Sequence, residues 1–214
     1  MGYIKIQNLS KTIKGKTILK NVNLSFEKGI VYGLVGSNGS GKTMLMRTIL
    51  GLVAPSEGKI TVNEKPVLPG KPFPCDVGLM IENNSLWQEL SAFENLKLLA
   101  GIKKKISSSE IKHSIARVGL DPENKKTFSK FSLGMKQRLV LAQAIMEKPD
   151  VLILDEPTNS LDDDGIELLK KIIIEEKKRG CLVIVSSHSP ELFDGIWDEV
   201  ITVKDGVFVQ KEDT

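Results

Sequence analysis

Eight consecutive residues carry the clearest chemistry in this chain. Gly36-Ser37-Asn38-Gly39-Ser40-Gly41-Lys42-Thr43 fits the pattern G-x-x-x-x-G-K-[ST]. A polyphosphate needs several donors packed closely, and glycines let backbone N–H groups converge without Cβ clashes. A helix that starts here points its positive end at the phosphates. Lys42 is then expected to reach the β- and γ-phosphates, and the Thr43 hydroxyl to ligate Mg²⁺. The loop follows an apolar stretch, 30–35, and precedes a helical one, 42–50, as that chemistry requires.

A second stretch offers acids to the same metal and phosphate. Val151-Leu152-Ile153-Leu154-Asp155-Glu156 reads as a buried strand with two carboxylates at its C-terminal end. Ligands bind at that end of the strands in open α/β sheets. Asp155 is expected to hold Mg²⁺, and Glu156 to orient or deprotonate the attacking water. Ser186-Ser187-His188 ends another apolar run with a histidine at its C-terminal end.

These residues need a scaffold, and the sequence supplies one. Strand-like and helix-like segments alternate in the last third, which argues for a sheet that is parallel at its core. The N-terminal third is strand-rich, with a turn at Lys14-Gly15-Lys16. The middle is helical, and Ser91-x-x-Glu94 and Ser107-x-x-Glu110 both match the capping box. Stretches 135–146 and 162–178 read as further helices, and 200–209 as a hairpin turning at Asp205-Gly206. Lys103-Lys104-Lys105 reads as a solvated loop, and His113 as a surface helix residue.

Composition limits the alternatives. The 214 residues are 41% hydrophobic and 27% charged, which excludes general disorder. No apolar run approaches the ~20 residues of a membrane span. The balance of 30 basic and 27 acidic residues, net +3, gives no reason to expect nucleic-acid binding. Cys75 and Cys181 form no CxxC pair and read as reduced structural thiols. Gly2 lacks the Ser or Thr at position 6 that myristoylation wants, and no signal peptide is evident. The expected location is cytoplasmic.

The ordered motifs resemble the ATP-binding-cassette (ABC) family, the nucleotide-binding domains of ABC transporters. Phe131-Ser132-Leu133-Gly134-Met135-Lys136-Gln137-Arg138-Leu139 looks like a variant of the family's L-S-G-G-Q signature. Glu156-Pro157-Thr158-Asn159-Ser160-Leu161-Asp162 is similar to its D-loop, and His188 to its switch histidine. The likeness runs in order from about Tyr3 to Gly206. It implies an α/β fold, with a P-loop NTPase (RecA-like) core, an N-terminal antiparallel β subdomain and an inserted α-helical subdomain. The expected organisation is one nucleotide-binding domain over 1–214, with the helical subdomain near 86–131.

The resemblance also implies partners. Two cassettes would face head to tail, as a homodimer or a heterodimer, with Ser132 and the Gly134 backbone touching the γ-phosphate held by the other protomer. A separate membrane permease would carry the substrate, holding the chain on the inner face of the membrane without insertion of its own. Its cytoplasmic helix would dock near Glu82 and Trp87. ATP and Mg²⁺ are the implied cofactors, with Thr43, Glu82 and Asp155 as metal contacts.

Three positions depart from the family pattern. Ile13 stands where many members stack an aromatic on adenine, with Tyr32 a weaker substitute, and Met44 replaces a frequent second Thr. Glu82 stands where the Q-loop glutamine is usual. Together with Phe-Ser-Leu-Gly-Met-Lys-Gln, that Glu resembles the bacitracin-resistance and lantibiotic-immunity branch of exporters. The expected function is an ATPase driving export of a peptide antibiotic, drug or similar compound. A weakly hydrolysing regulatory subunit is the alternative, and a soluble non-transport ATPase a lesser one.

Overall fold

The computed structural model describes residues 2–81 and 86–210. Two sheets share the molecule. The first is antiparallel, in the order β2 (Lys16–Phe26), β1 (Ile4–Ile13), β4 (Glu57–Val62) and β5 (Lys65–Pro66). The second has six strands, in the order β10 (Val207–Gln210), β9 (Glu199–Lys204), β3 (Val31–Val35), β8 (Leu182–Ser187), β7 (Val151–Asp155) and β6 (Val77–Met80). All its pairings are parallel except the terminal β9–β10 hairpin.

Period-two alternation splits the apolar residues of the second sheet between two cores. Leu152, Leu154, Val183 and Val185 join the cluster on one face, with the helices α2 (Ala92–Lys103), α3 (Ser108–Arg117), α4 (Leu133–Ile145) and α5 (Asp163–Lys178). Val151, Ile153, Leu182 and Ile184 face the other way, onto the antiparallel sheet and α1 (Lys42–Ile49). Each strand is therefore buried on both faces, which explains its unbroken apolar run. The site-bearing ends of β3, β7 and β8 are fixed by packing from both sides.

The helical stretch between β6 and β7 starts with the two expected capping boxes. Ser91 and Ser107 each accept from the N3 backbone, and Glu94 and Glu110 reach back to the cap N–H. Hydrogen bonding to those Ser residues holds both Glu carboxyls below the usual range. Ile111, Ile115 and Val118 are buried as one face. Arg117 bonds Glu175 and Glu176 of α5, and Lys103 and Lys105 bond Asp76 at the entry to β6. The lysine run expected to be a solvated loop thus starts inside α2 at Lys103, and two of its side chains pair with Asp76.

Boundaries differ from the sequence reading where side chains cap helices. α4 begins at Leu133, two residues early, because the Ser132 hydroxyl accepts from Met135 N–H and acts as its N-cap. Asp162 caps α5 in the same way from outside the helix. β4 is longer than expected and begins at Glu57, with Gly58 at φ 81 where a Cβ would lie 2.4 Å from the Asn8 carbonyl oxygen.

Candidate functional site

The phosphate loop leaves β3 and enters α1 through Gly41, whose φ of 116 is open to glycine but strained for other residues. At Gly36 a Cβ would lie 2.2 Å from the Val203 carbonyl oxygen, so only glycine fits between loop and sheet. The Lys42 side chain is folded into the loop. Its ammonium donates to the carbonyls of Gly36 at 2.6 Å and Ser37 at 3.2 Å.

The loop and β7 meet at their C-terminal ends. Thr43 Oγ1 donates to Asp155 Oδ2 at 2.7 Å. The second oxygen of Asp155 accepts from Ser186 Oγ at 2.5 Å, and the same hydroxyl accepts from the Glu156 N–H at 2.9 Å. Ser186 is fully buried and lies opposite Asp155 in the β7–β8 register. One side chain on β8 thus holds the Asp155 carboxylate and the Glu156 backbone. Glu156 takes φ 47, which turns the chain sharply after the strand. A non-glycine residue at positive φ is strained, and such strain concentrates at functional sites.

That turn brings the Glu156 carboxylate between two cationic or polar partners. His188 Nδ1 lies 2.7 Å from Oε2, and the His188 N–H donates to the same oxygen at 3.3 Å. The Lys42 ammonium lies 3.2 Å from Oε1 but directs its hydrogen bonds to the loop carbonyls. Oε1 and Ser40 Oγ consequently remain buried side-chain oxygens without a hydrogen-bond partner. Both residues line a cavity of about 560 Å³, with Asn38 to Met44, Ile18, Arg47, Asn159 and His188. Orphaned polar atoms at its wall are what a hydrated polyanion or a water would satisfy.

Most expected residues converge here, and some do not. Gly36 to Thr43, Asp155, Glu156 and His188 meet as described. Ser132 and Gly134 do not line this cavity; they sit at the start of α4, a helix tied to the loop after Glu156. Gln137 Nε2 donates to the Pro157 carbonyl, Arg138 pairs with Asp162, and a Cβ on Gly134 would lie 3.1 Å from the Ser160 carbonyl oxygen. Glu82 lies outside the described residues. The cavity's aliphatic wall is Ile18 on β2, whereas Ile13 ends β1 and does not reach it. Tyr32 is no substitute: it is buried edge-on against Phe26, and its hydroxyl accepts from the Glu27 N–H. Ser186, Arg47, Asn159 and Ile18 are the participants that the motifs did not single out.

The ABC transporter family matches residues 19–159, from β2 to the loop beyond Glu156. The chain belongs to that family. YybJ of Bacillus subtilis, an uncharacterized ABC transporter ATP-binding protein, is 50% identical over 203 residues, covering 95% of this chain and 93% of its own. The lantibiotic transport ATP-binding protein SrtF of Streptococcus pyogenes is 37% identical, over 98% of this chain and 90% of its own. Among solved structures, the bacterial ABC transporter cassette MJ0796, a dimer, matches with TM-score 0.85 at 24% identity, over 99% of this chain and 100% of that one. The last likeness establishes the fold, that of a P-loop NTPase cassette.

This ABC cassette is the ATP-binding subunit of a transporter, and an ATPase. Among the described residues no helix is long and apolar enough to cross a membrane. As the ATP-binding subunit of a transporter, it pairs with a permease.

Proposed function

We propose that ATP hydrolysis at the Lys42–Glu156–His188 site, in a head-to-tail pair of cassettes, drives a permease that exports a peptide antibiotic or similar compound. The observation that carries the catalytic part is the Glu156 carboxylate, held by His188 at 2.7 Å with its other oxygen buried, without a hydrogen bond and ion-paired with Lys42 at 3.2 Å. Once Lys42 turns to the phosphates, that oxygen is the acceptor that can orient or deprotonate an attacking water. An imidazolium His188 would donate Nδ1–H to the carboxylate and Nε2–H to the γ-phosphate. Lys42 would exchange its loop carbonyls for the phosphates, and the loop N–H groups would receive the remaining oxygens.

The donor set fits Mg²⁺. Thr43 Oγ1 and Asp155 Oδ2 are hard oxygens already side by side, and Mg²⁺ uses one or two protein oxygens beside phosphate and water. Thr43 and Asp155 would hold the ion, with Glu82 as a third contact by resemblance. When bound, it neutralises charge on the β- and γ-phosphates.

The position of Ser132 and Gly134 supports the dimer. An exposed capped helix start lies on the loop that borders the cavity, yet outside it. A second copy would bring the same helix start to this nucleotide. The branch resemblance and SrtF's transport of a lantibiotic support export and the substrate class. The permease would hold the cassette on the inner face of the membrane, and stretch 86–131 acts as a helical subdomain within one nucleotide-binding domain. Glu156→Gln tests the reading. ATP should still bind and dimerise the protein while turnover disappears; unchanged turnover would remove Glu156 from the reaction.

A further inference from the structure

The helical stretch 86–131 carries nine Lys or Arg against five Asp or Glu. Its net +4 exceeds the +3 of the whole chain, so the remainder is slightly acidic. Within it, α2 turns an unusual face outward. Ile102 is 78% exposed, the most exposed large apolar side chain among the described residues, and Leu98 one turn earlier is 50% exposed. Gly101 lies between them, with open space where a Cβ would stand. Single exposed apolar residues are ordinary, but an i, i+4 pair ringed by lysine is not.

The lysines are arranged around that pair. Lys97 adjoins Leu98, its ammonium 5.8 Å from the Phe93 ring. Lys104 caps the helix in a left-handed turn and forms no ion pair among the described residues. Lys103 and Lys105 flank it, with Lys103 bonded to Asp76 and Glu147 and Lys105 to Asp76. Glu94, earlier on the same face, is occupied by its capping bonds to Ser91.

We infer that this face of α2, with the lysine run after it, rests on the anionic headgroups of the membrane that the transporter serves. The apolar footprint is a single helical turn, with no aromatic or arginine anchor of the kind that dominates protein interfaces. Lysine is depleted from such interfaces, whereas a leucine–isoleucine ridge flanked by lysine is how helices lie in a bilayer surface. Flexible, hydrated ammonium groups suit a diffuse negative surface rather than a fixed partner. The contact would orient the cassette relative to the bilayer independently of the permease and of ATP chemistry.

The test is flotation of the full chain with phosphatidylcholine vesicles, with and without half their lipid as phosphatidylglycerol. Binding is expected to the anionic vesicles alone, and to weaken between 50 and 300 mM salt. Lys97→Gln and Lys104→Gln should each weaken it by about fivefold. Leu98→Ser with Ile102→Ser should weaken it by about tenfold or more. All variants should keep the wild-type melting temperature and solution ATPase rate. Equal binding to both vesicle types, no binding to anionic vesicles, or unaltered binding by the folded variants would each overturn the inference. Retention on an immobilised acidic polypeptide without vesicle binding would overturn it too, assigning the face to an acidic protein segment.

Discussion

Ser186→Ala is the sharpest probe of how the site is built. In the folded chain the hydroxyl donates to Asp155 Oδ1 at 2.5 Å and accepts from the Glu156 N–H at 2.9 Å. The side chain is fully buried, so no bulk water replaces it. A hydrogen bond to a charged group contributes about 1.5–3 kcal/mol, and an orphaned buried N–H costs about 1–3 kcal/mol. With partial relaxation, a loss of about 2–4 kcal/mol is expected. In a domain of this size that lowers the melting temperature by roughly 4–16 °C. The second consequence is functional. Asp155 loses the donor that orients it toward Thr43, and Glu156 loses the bond that holds its strained turn. Half-saturation by Mg²⁺ should rise, and turnover should fall further than ATP affinity. Thermal melts, Mg²⁺ titration of ATPase activity and nucleotide-binding isotherms read the three effects separately. A variant that melts normally and needs no more Mg²⁺ than wild type would refute the account of Ser186 as the clamp of the Asp155 carboxylate and the Glu156 backbone.

Gly36→Ala pushes a methyl group to 2.2 Å from the Val203 backbone oxygen, so the loop must move. A shift of about 1 Å should cost about a hundredfold in kcat/KM for ATP with the fold retained by circular dichroism. Asn95→Ala removes a fully buried amide that accepts from Trp87 N–H and donates to the Trp87, Leu90 and Ser91 carbonyls. It should destabilise by about 2–4 kcal/mol in urea melts and expose the 86–91 segment to proteolysis. Burial pushes the Cys181 thiol up to about 12, so it should resist thiol reagents at pH 8 until the protein unfolds, whereas half-buried Cys75 should react first.

Several site residues were legible because their chemistry is local. A glycine-rich loop ending in Lys42-Thr43 suits a strand-to-helix turn, and four apolar residues before Asp155-Glu156 read as a buried strand. Ser186 was not legible. It ends a run that reads as plain strand, and its role depends on which strand lies beside β7 and in what register. Ile13 and Ile18 differ only in where the first hairpin bends toward the loop, which their spacing does not state. Glu156 could be named as an acid after a strand, but its left-handed turn is a property of the packed loop.

The division has a physical basis. Motifs encode chemistry through residues a few positions apart, where backbone geometry alone sets the distances, and these determined the nucleotide loop, the acid pair and the family. Contacts between residues more than a hundred positions apart, such as Thr43 with Asp155, are set by sheet order and register. Only the folded chain decided that one β8 serine clamps the Asp155 carboxylate and the Glu156 backbone. It also decided that Glu156 keeps an oxygen without a hydrogen bond beside Lys42, and that Ser132 stands outside the cavity of its own chain.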